Sequence, residues 1–398
     1  MPQLTSAFAR QASLPPPRDR PVDFIVALAF VLLFAIGVHA FQYRGALAES
    51  DLYRVLVGLL DGEASGTGIA SNLHYDNTFG FGYLAAFYAF ADPATLRDPD
   101  KLTNLINQVG FCFMLAGLVC FWCAVSVIHG ARAGTVALII FGLGPMVLEL
   151  GTSGHPAIPM FALLCAGATL LFLPVTGWRA VLAAFVGGVF LLAGLATRVD
   201  IVFAFPWLVL TCADTRSLRG FVVSCALRSV VPVAAIMVFL ILQHLFVPSQ
   251  AGSVVGEYFG RWFSFSHVVV GLVYMALGCG IATAAAAALA MPWLAWRARP
   301  GAGGPGRAGL APILGAASLV LLPLAFFVAS TGPTRHFILA YAGLSIFLAV
   351  ALTASLALRR VAALGVALLL AAASQALAEV VRLPVLAMND ASSPYRPV

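Results

Sequence analysis

The sequence predicts an all-α fold, a polytopic transmembrane helical bundle, and three observations predict it. Hydrophobic residues are 61% of the 398 and charged residues 10%, against about 45–50% and about 25% in a soluble domain. Apolar runs recur from Val22 to Met388 with no long polar interval after Lys101. The basic residues fall in alternate gaps between those runs, the pattern that retention of Lys and Arg on the cytoplasmic side produces. An ordinary water-soluble fold is excluded.

A bilayer core takes about 20 apolar residues per helix, because no water there can satisfy unpaired backbone groups. The spans expected are 22–42, 105–128, 133–150, 157–174, 180–197, 201–212, 229–247, 268–293, 309–330, 337–357 and 361–381, about eleven crossings. Residues 201–212 are short for a full crossing, and the apolar stretch Phe79–Phe90 suits a short interfacial helix. The first apolar run is longer than a signal-peptide core and is expected to be a retained helix. With residues 1–21 as a cytoplasmic tail, the inner loops collect Arg132, Arg179, Arg216, Arg219, Arg228, Arg297, Arg299, Arg307, Arg359 and Arg360. Residues 22–388 then form the membrane domain, with 43–104 as a long first external loop carrying short interfacial helices and 389–398 as an external tail.

The net charge of +6 is scattered in short loops rather than gathered in a stripe, so nucleic acid is not an expected partner. The seven cysteines lie mostly within apolar segments, Cys120 and Cys123 among them, and are read as buried free thiols. The glycine-rich loop Arg297–Arg307, within the cytoplasmic linker 294–308, has no preceding strand and no following GK[ST], so it is a flexible linker and not a phosphate-binding loop.

Half of the sixteen acidic residues lie between Arg44 and Lys101. Turn chemistry accounts for Asp92, Asp98 and Asp100 in ADPATLRDPDK. Glu49-Ser50-Asp51-Leu52-Tyr53 is different: it follows closely on the first span and continues as an amphipathic stretch. A carboxylate held there at the membrane surface can deprotonate an acceptor hydroxyl, or bind a divalent cation such as magnesium or manganese that neutralises a phosphate leaving group. No metal-ligand cluster with recognisable spacing is present. His74, Tyr75 and Asp76, with Asn77 and nearby glycines, make either a surface for stacking and hydrogen bonding a sugar or a structured turn.

Other external features fall at span ends. His155 joins two spans, and Arg198 and Asp200 lie between two apolar runs, where charges either face a watery cavity or close a structural turn. Glu257 occupies an external loop among aromatics of an interfacial belt. Arg335 and His336 precede a helix, whose N-terminal dipole favours anions, so this arginine suits a lipid phosphate unless it snorkels to headgroups.

Three of these segments in this order resemble the GT-C superfamily of membrane glycosyltransferases, which includes protein O-mannosyltransferases, aminoarabinose transferases and polyprenyl-phosphate-mannose-dependent mannosyltransferases. They are Glu49–Tyr53 after the first span, LATRVDIVFAFPWLVL at Leu195–Leu210, and STGPTRHFILAYAGLSIF at Ser330–Phe347. The resemblance implies an inverting transferase that moves a sugar from a polyprenyl-phosphate donor to a lipid-linked or cell-envelope glycan acceptor. It gives Asp51 the role of general base, with Glu49 beside it, and Arg335, with Arg198, the lipid phosphate. Tyr53, His74, Tyr75, Asp76, His155, Asp200, Glu257 and His336 complete the expected substrate-binding set. Ser50 separates the two acidic residues, which are often contiguous in the family. The expected setting is a bacterial inner membrane, among membrane lipids, with chemistry on the external face. The alternative is a transporter or lipid flippase, which would need ionisable groups near mid-membrane, and Glu379 and His244 are the main candidates.

Overall fold

Long apolar stretches without water must pair their amides and carbonyls internally, so they fold as helices. The computed structural model describes residues 20–41, 60, 64–66, 86–87, 89–151, 154–215, 217–246, 272–273, 275–276, 279–297, 310–329, 337–354 and 360–392, and among these there is no β-strand. The helices are α1 (Arg20–Phe41), α2 (Pro93–Leu96), α3 (Pro99–His129), α4 (Ala131–Gly142), α5 (Pro145–Gly151), α6 (Ala157–Phe172) and α7 (Trp178–Thr197). A 3-10 turn (Val199–Ala204) then leads into α8 (Phe205–Leu210), followed by α9 (Leu218–Phe246), α10 (Ile281–Arg297), α11 (Leu310–Ala329), α12 (Ile338–Ala354) and α13 (Arg360–Ser392). Among the described residues α3, α7 and α9 are long and apolar enough to cross a membrane.

Several boundaries differ from the sequence expectation. The span expected at 105–128 begins at Pro99, inside the predicted external loop, because the Asp98 carboxylate accepts from the Asp100 and Lys101 amides at 3.1 and 3.2 Å and caps the helix. The span expected at 229–247 begins at Leu218, with the Ser217 hydroxyl accepting from the Gly220 amide at 3.0 Å. Arg219 and Arg228 therefore lie in a helix and not in a loop. The single span expected at 133–150 is two helices, because Gly142-Leu143-Gly144-Pro145 interrupts it and Pro145 opens α5. The span expected at 268–293 is broken at Gly280, whose φ of +83° suits glycine and whose missing Cβ leaves room for Ser374. The last helix runs beyond 381 to Ser392, into the stretch expected as a tail. Residues 201–212 are indeed short: the 3-10 turn and α8 together rise about 21 Å.

Packing explains the order of layers. One row runs α3, α6, α7, α9, with neighbours in contact; a second joins α11, α12, α10 and α13. Helix α4 bridges them, touching α1, α3, α12 and α13, while α8 bridges α9 to α11. Helix α12 is buried at every position from Ile338 to Ala349, the mark of an element surrounded by others. Small residues let the first row approach closely. A Cβ on Gly110 would lie 2.1 Å from the Gly154 Cα, and one on Gly187 3.3 Å from the Gly167 carbonyl oxygen. Rings of Phe121, Phe141, Phe161 and Tyr341 stack at the centre with centroid separations of 4.7–5.7 Å.

The break between α4 and α5 is repaired from two sides. Gly144 turns its amide to the Phe141 carbonyl at 3.1 Å, so the Ile140 carbonyl takes the Tyr341 hydroxyl from α12 instead. The Leu143 carbonyl accepts from Gln375 Nε2 of α13 at 2.8 Å. A side chain at Gly144 would collide with the Tyr341 ring.

Tyr341→Phe keeps the ring but leaves a buried carbonyl unsatisfied, and is expected to cost about 1–3 kcal/mol of stability, read as a lowered unfolding midpoint in detergent. Gly110→Ala is expected to reduce the yield of monodisperse protein on size exclusion, whereas Gly37→Ala, with open space around it, leaves it unchanged. The Asp98 carboxyl is held below its ordinary value of 3.8, first by the Lys101 amide hydrogen bond. A depressed carboxylate pKa stabilises the helix above that value and ceases to do so as pH falls through the lower folded one. Fraying of the first turn of α3 is accordingly expected below pH ~4, seen as narrowing of the lines of a spin label attached there as it gains mobility, and absent at pH 7.

Candidate functional site

The described candidates gather at one end of the bundle, where α3 and α6 begin and α7 finishes. Gly154, at φ +67°, packs its backbone against the Ile106 carbonyl of α3. That close approach seats the next residue, His155, with no solvent exposure. Its Nδ1 accepts from the Ala157 amide at 3.1 Å. The accepting nitrogen carries no proton, so the neutral tautomer with Nε2–H is inferred. The imidazole thereby caps α6, a structural job that its sequence position between two spans did not disclose.

Arg198 and Asp200 form a turn directly after α7. The Thr197 hydroxyl bonds back to the Ala193 carbonyl at 2.8 Å, and Gly194 leaves room for Ile201, whose Cδ1 would lie 2.4 Å from a Cβ there. The chain can then fold back on α7 as the 3-10 turn, which also packs on α6 and α11. Within it Arg198 Nε meets Asp200 Oδ2 at 2.6 Å, and the two residues are only 2% and 7% exposed. Taking both charges out of water is costly and is repaid by this short charge-assisted contact. Of the two alternatives the sequence left open for these residues, a watery cavity or a structural turn, the geometry shows the turn.

Sequence reading missed Thr103 and Asn107, which are buried polar residues of the first turns of α3 at this same end. Thr103 fell before the expected start of that span and Asn107 just inside it; the legible signal was the polar pair Asn104 and Asn107 flanking that start. Further along α3, where it meets α4, α5 and α6, lies a small apolar cleft bordered by Phe113, Met114, Phe141, Val147 and Ile158.

Glu49, Asp51, Tyr53, His74, Tyr75, Asp76, Glu257, Arg335 and His336 lie outside the described residues. Phe337, which follows His336, is fully buried at the start of α12. Among the described residues no group of three or more His, Cys, Asp or Glu is placed to hold a metal ion, and the Asp200 carboxylate is engaged by a guanidinium. His244, one of the groups a transporter would want near mid-membrane, stands exposed in the last turn of α9.

No family model and no curated protein matches this chain. Among solved structures, the crystal structure of ArnT from Cupriavidus metallidurans bound to undecaprenyl phosphate matches with a TM-score of 0.53 at 14% identity, over 83% of this chain. The fold resembles that of this ArnT. The expectation of an all-α polytopic helical bundle is met, and the chain spans 60% of the length of that ArnT. At this identity the likeness shows the fold alone.

Because the Arg198–Asp200 pair is buried, losing one partner strands the other. Asp200→Asn is expected to destabilise by about 3–5 kcal/mol, and Arg198→Met with Asp200→Leu to recover most of that loss. Reversible unfolding in mixed micelles, followed by tryptophan fluorescence, measures both; equal losses in the single and double variants would show that the pair is not the source.

Proposed function

We propose that this protein is an inverting membrane glycosyltransferase that transfers a sugar from a polyprenyl-phosphate donor to a lipid-linked or cell-envelope acceptor on the non-cytoplasmic face of a bacterial inner membrane. The observation that carries the proposal is the fold shared with a protein crystallised with undecaprenyl phosphate. Supporting it, three acidic and basic segments of the sequence occur in the order that the resemblance requires. The segment containing Arg198 is held at the end of the bundle where α12 also begins, three residues after Arg335 in sequence.

In this reading Asp51 removes the proton from the acceptor hydroxyl as that oxygen attacks the anomeric carbon. The bond to the donor phosphate breaks with inversion. Arg335 offsets the charge developing on the departing polyprenyl phosphate, and Glu49 sustains the basicity of Asp51 or orients the acceptor. Tyr53, His74, Tyr75, Asp76, Glu257 and His336 supply stacking and hydrogen bonds to the sugar. Arg198, tied to Asp200 and buried, acts as a fixed positive centre behind the site and His155 as the cap that fixes α6. A magnesium or manganese ion, if required, would be held by Glu49 and Asp51 and would offset phosphate charge.

Positioned general bases contribute about 10²–10⁴ in rate, so Asp51→Asn is expected to lower sugar transfer by roughly that factor at matched expression. The measurement is transfer of radiolabelled sugar from polyprenyl-phosphate donors in membranes containing the wild-type or variant chain, with and without chelator. Wild-type transfer that survives Asp51→Asn would remove this residue from the chemistry. Absence of transfer across a broad donor and acceptor panel, with uptake or flipping of a labelled lipid instead, would overturn the transferase reading.

A further inference from the structure

At the end of the bundle opposite the Arg198 turn, α6, α7, α8 and α9 border a shallow, open apolar groove of about 480 Å³, adjoining solvent space included. Its α7 wall is made of Ala180, Ala183 and Ala184, and the facing wall on α9 of Leu227, Arg228 and Val231. Alanines against larger side chains leave space that a better-filled helix pair would not. Among the described residues, Arg228 is the cation bordering the groove.

Three further observations say what medium the groove meets. Outward of it, α7 and α9 expose a continuous apolar face that includes Val181, Phe185, Val230 and Val233, the surface of helices bathed in acyl chains. At the first turn of α7, Trp178 is 70% exposed and the Arg179 guanidinium lies 5.9 Å from its ring centroid, a pairing typical of the headgroup boundary. Helix α9 is 29 residues long, about 44 Å, which exceeds a hydrocarbon core of about 30 Å. If that excess lies at its arginine-bearing start, Arg228 sits near the boundary. Pro232 borders the same turn, and, lacking an N–H, cannot give the Arg228 carbonyl its usual helix bond, which loosens α9 beside the groove.

We propose that this groove is a binding site for an anionic phospholipid, one acyl chain lying between α7 and α9 and the headgroup phosphate meeting Arg228, with Arg179 at its rim. The occupant is a bilayer phospholipid and not the polyprenyl-phosphate donor, whose proposed site is at the other end of the bundle. The site holds the lipid as a structural ligand that wedges α7 against α9.

The test uses the full chain, delipidated in detergent and titrated with phosphatidylglycerol or phosphatidylcholine of identical acyl chains, with bound lipid counted by native mass spectrometry. Wild type is expected to retain phosphatidylglycerol roughly fivefold more tightly, the scale of one arginine at a membrane surface. Arg228→Gln should reduce that preference severalfold, and Arg228→Lys should keep it. Ala183→Leu should weaken retention of both lipids by filling the groove, and its elution profile checks folding. A preference unchanged by Arg228→Gln, or displacement of phosphatidylglycerol by inorganic phosphate or undecaprenyl phosphate at equal concentration, would overturn the proposal.

Discussion

In hydrocarbon an unpaired backbone carbonyl costs several kcal/mol, and that single constraint organises the centre of this bundle. Gly144 and Pro145 stop α4 short of a full crossing. Proline has no amide to donate, so the carbonyls of the last turn need partners from elsewhere. Tyr341 and Gln375 supply them from α12 and α13. The interruption thus dictates which helices lie against α4, and the helix that answers with Tyr341 is the one buried on all sides. A continuous α4 would have left α12 with a buried hydroxyl to satisfy and no reason to sit there.

The same accounting explains the other polar contacts in the core. Thr135 receives the Trp122 indole N–H at 3.1 Å and donates within its own helix or to the Asp23 carbonyl of α1. Thr283 and Ser374 share a 2.9 Å hydroxyl contact between α10 and α13. Such pairs add little net energy among helices that already meet apolar solvent. What they fix is register, because a hydroxyl shifted by one turn would be stranded. Glycine performs the complementary task in the first row, where Gly110 and Gly154, or Gly167 and Gly187, permit backbones to approach until no alternative register fits.

The helical class and the span positions from Ala157 to Thr197 were legible because they follow from a local rule, apolar length; for Arg198 and Asp200 the sequence left a watery cavity and a structural turn equally open, since two opposite charges one residue apart suit either. The division of the 133–150 run was also written in its Gly-Leu-Gly-Pro, but apolarity continues across it and hides the break from a length criterion. Helix α9 was read too short for the opposite reason: Arg219 and Arg228 look like loop residues, although long arginine side chains reach polar surroundings from within a helix. His155 was beyond reach, because its capping role depends on Gly154 meeting α3 some fifty residues earlier in the chain. Thr103 and Asn107 were obscured by treating polarity near a span boundary as solvent exposure.

These misreadings share a cause that bears on function. Sequence hydropathy measures what a residue would prefer as a neighbour, whereas the interior of a polytopic protein is another protein and accepts polar groups that the lipid would reject. Among the described residues, the end of the bundle carrying Arg198, Asp200, His155, Thr103 and Asn107 buries its polar groups, so it can hold charge rigidly with little reorganisation. The opposite end carries its charge outward, with Trp178, Arg179 and Arg228 beside lipid-facing helices. A bundle so divided has one end suited to fix an electrostatic field and another suited to anchor in the bilayer, and the long helices α3 and α7 connect the two.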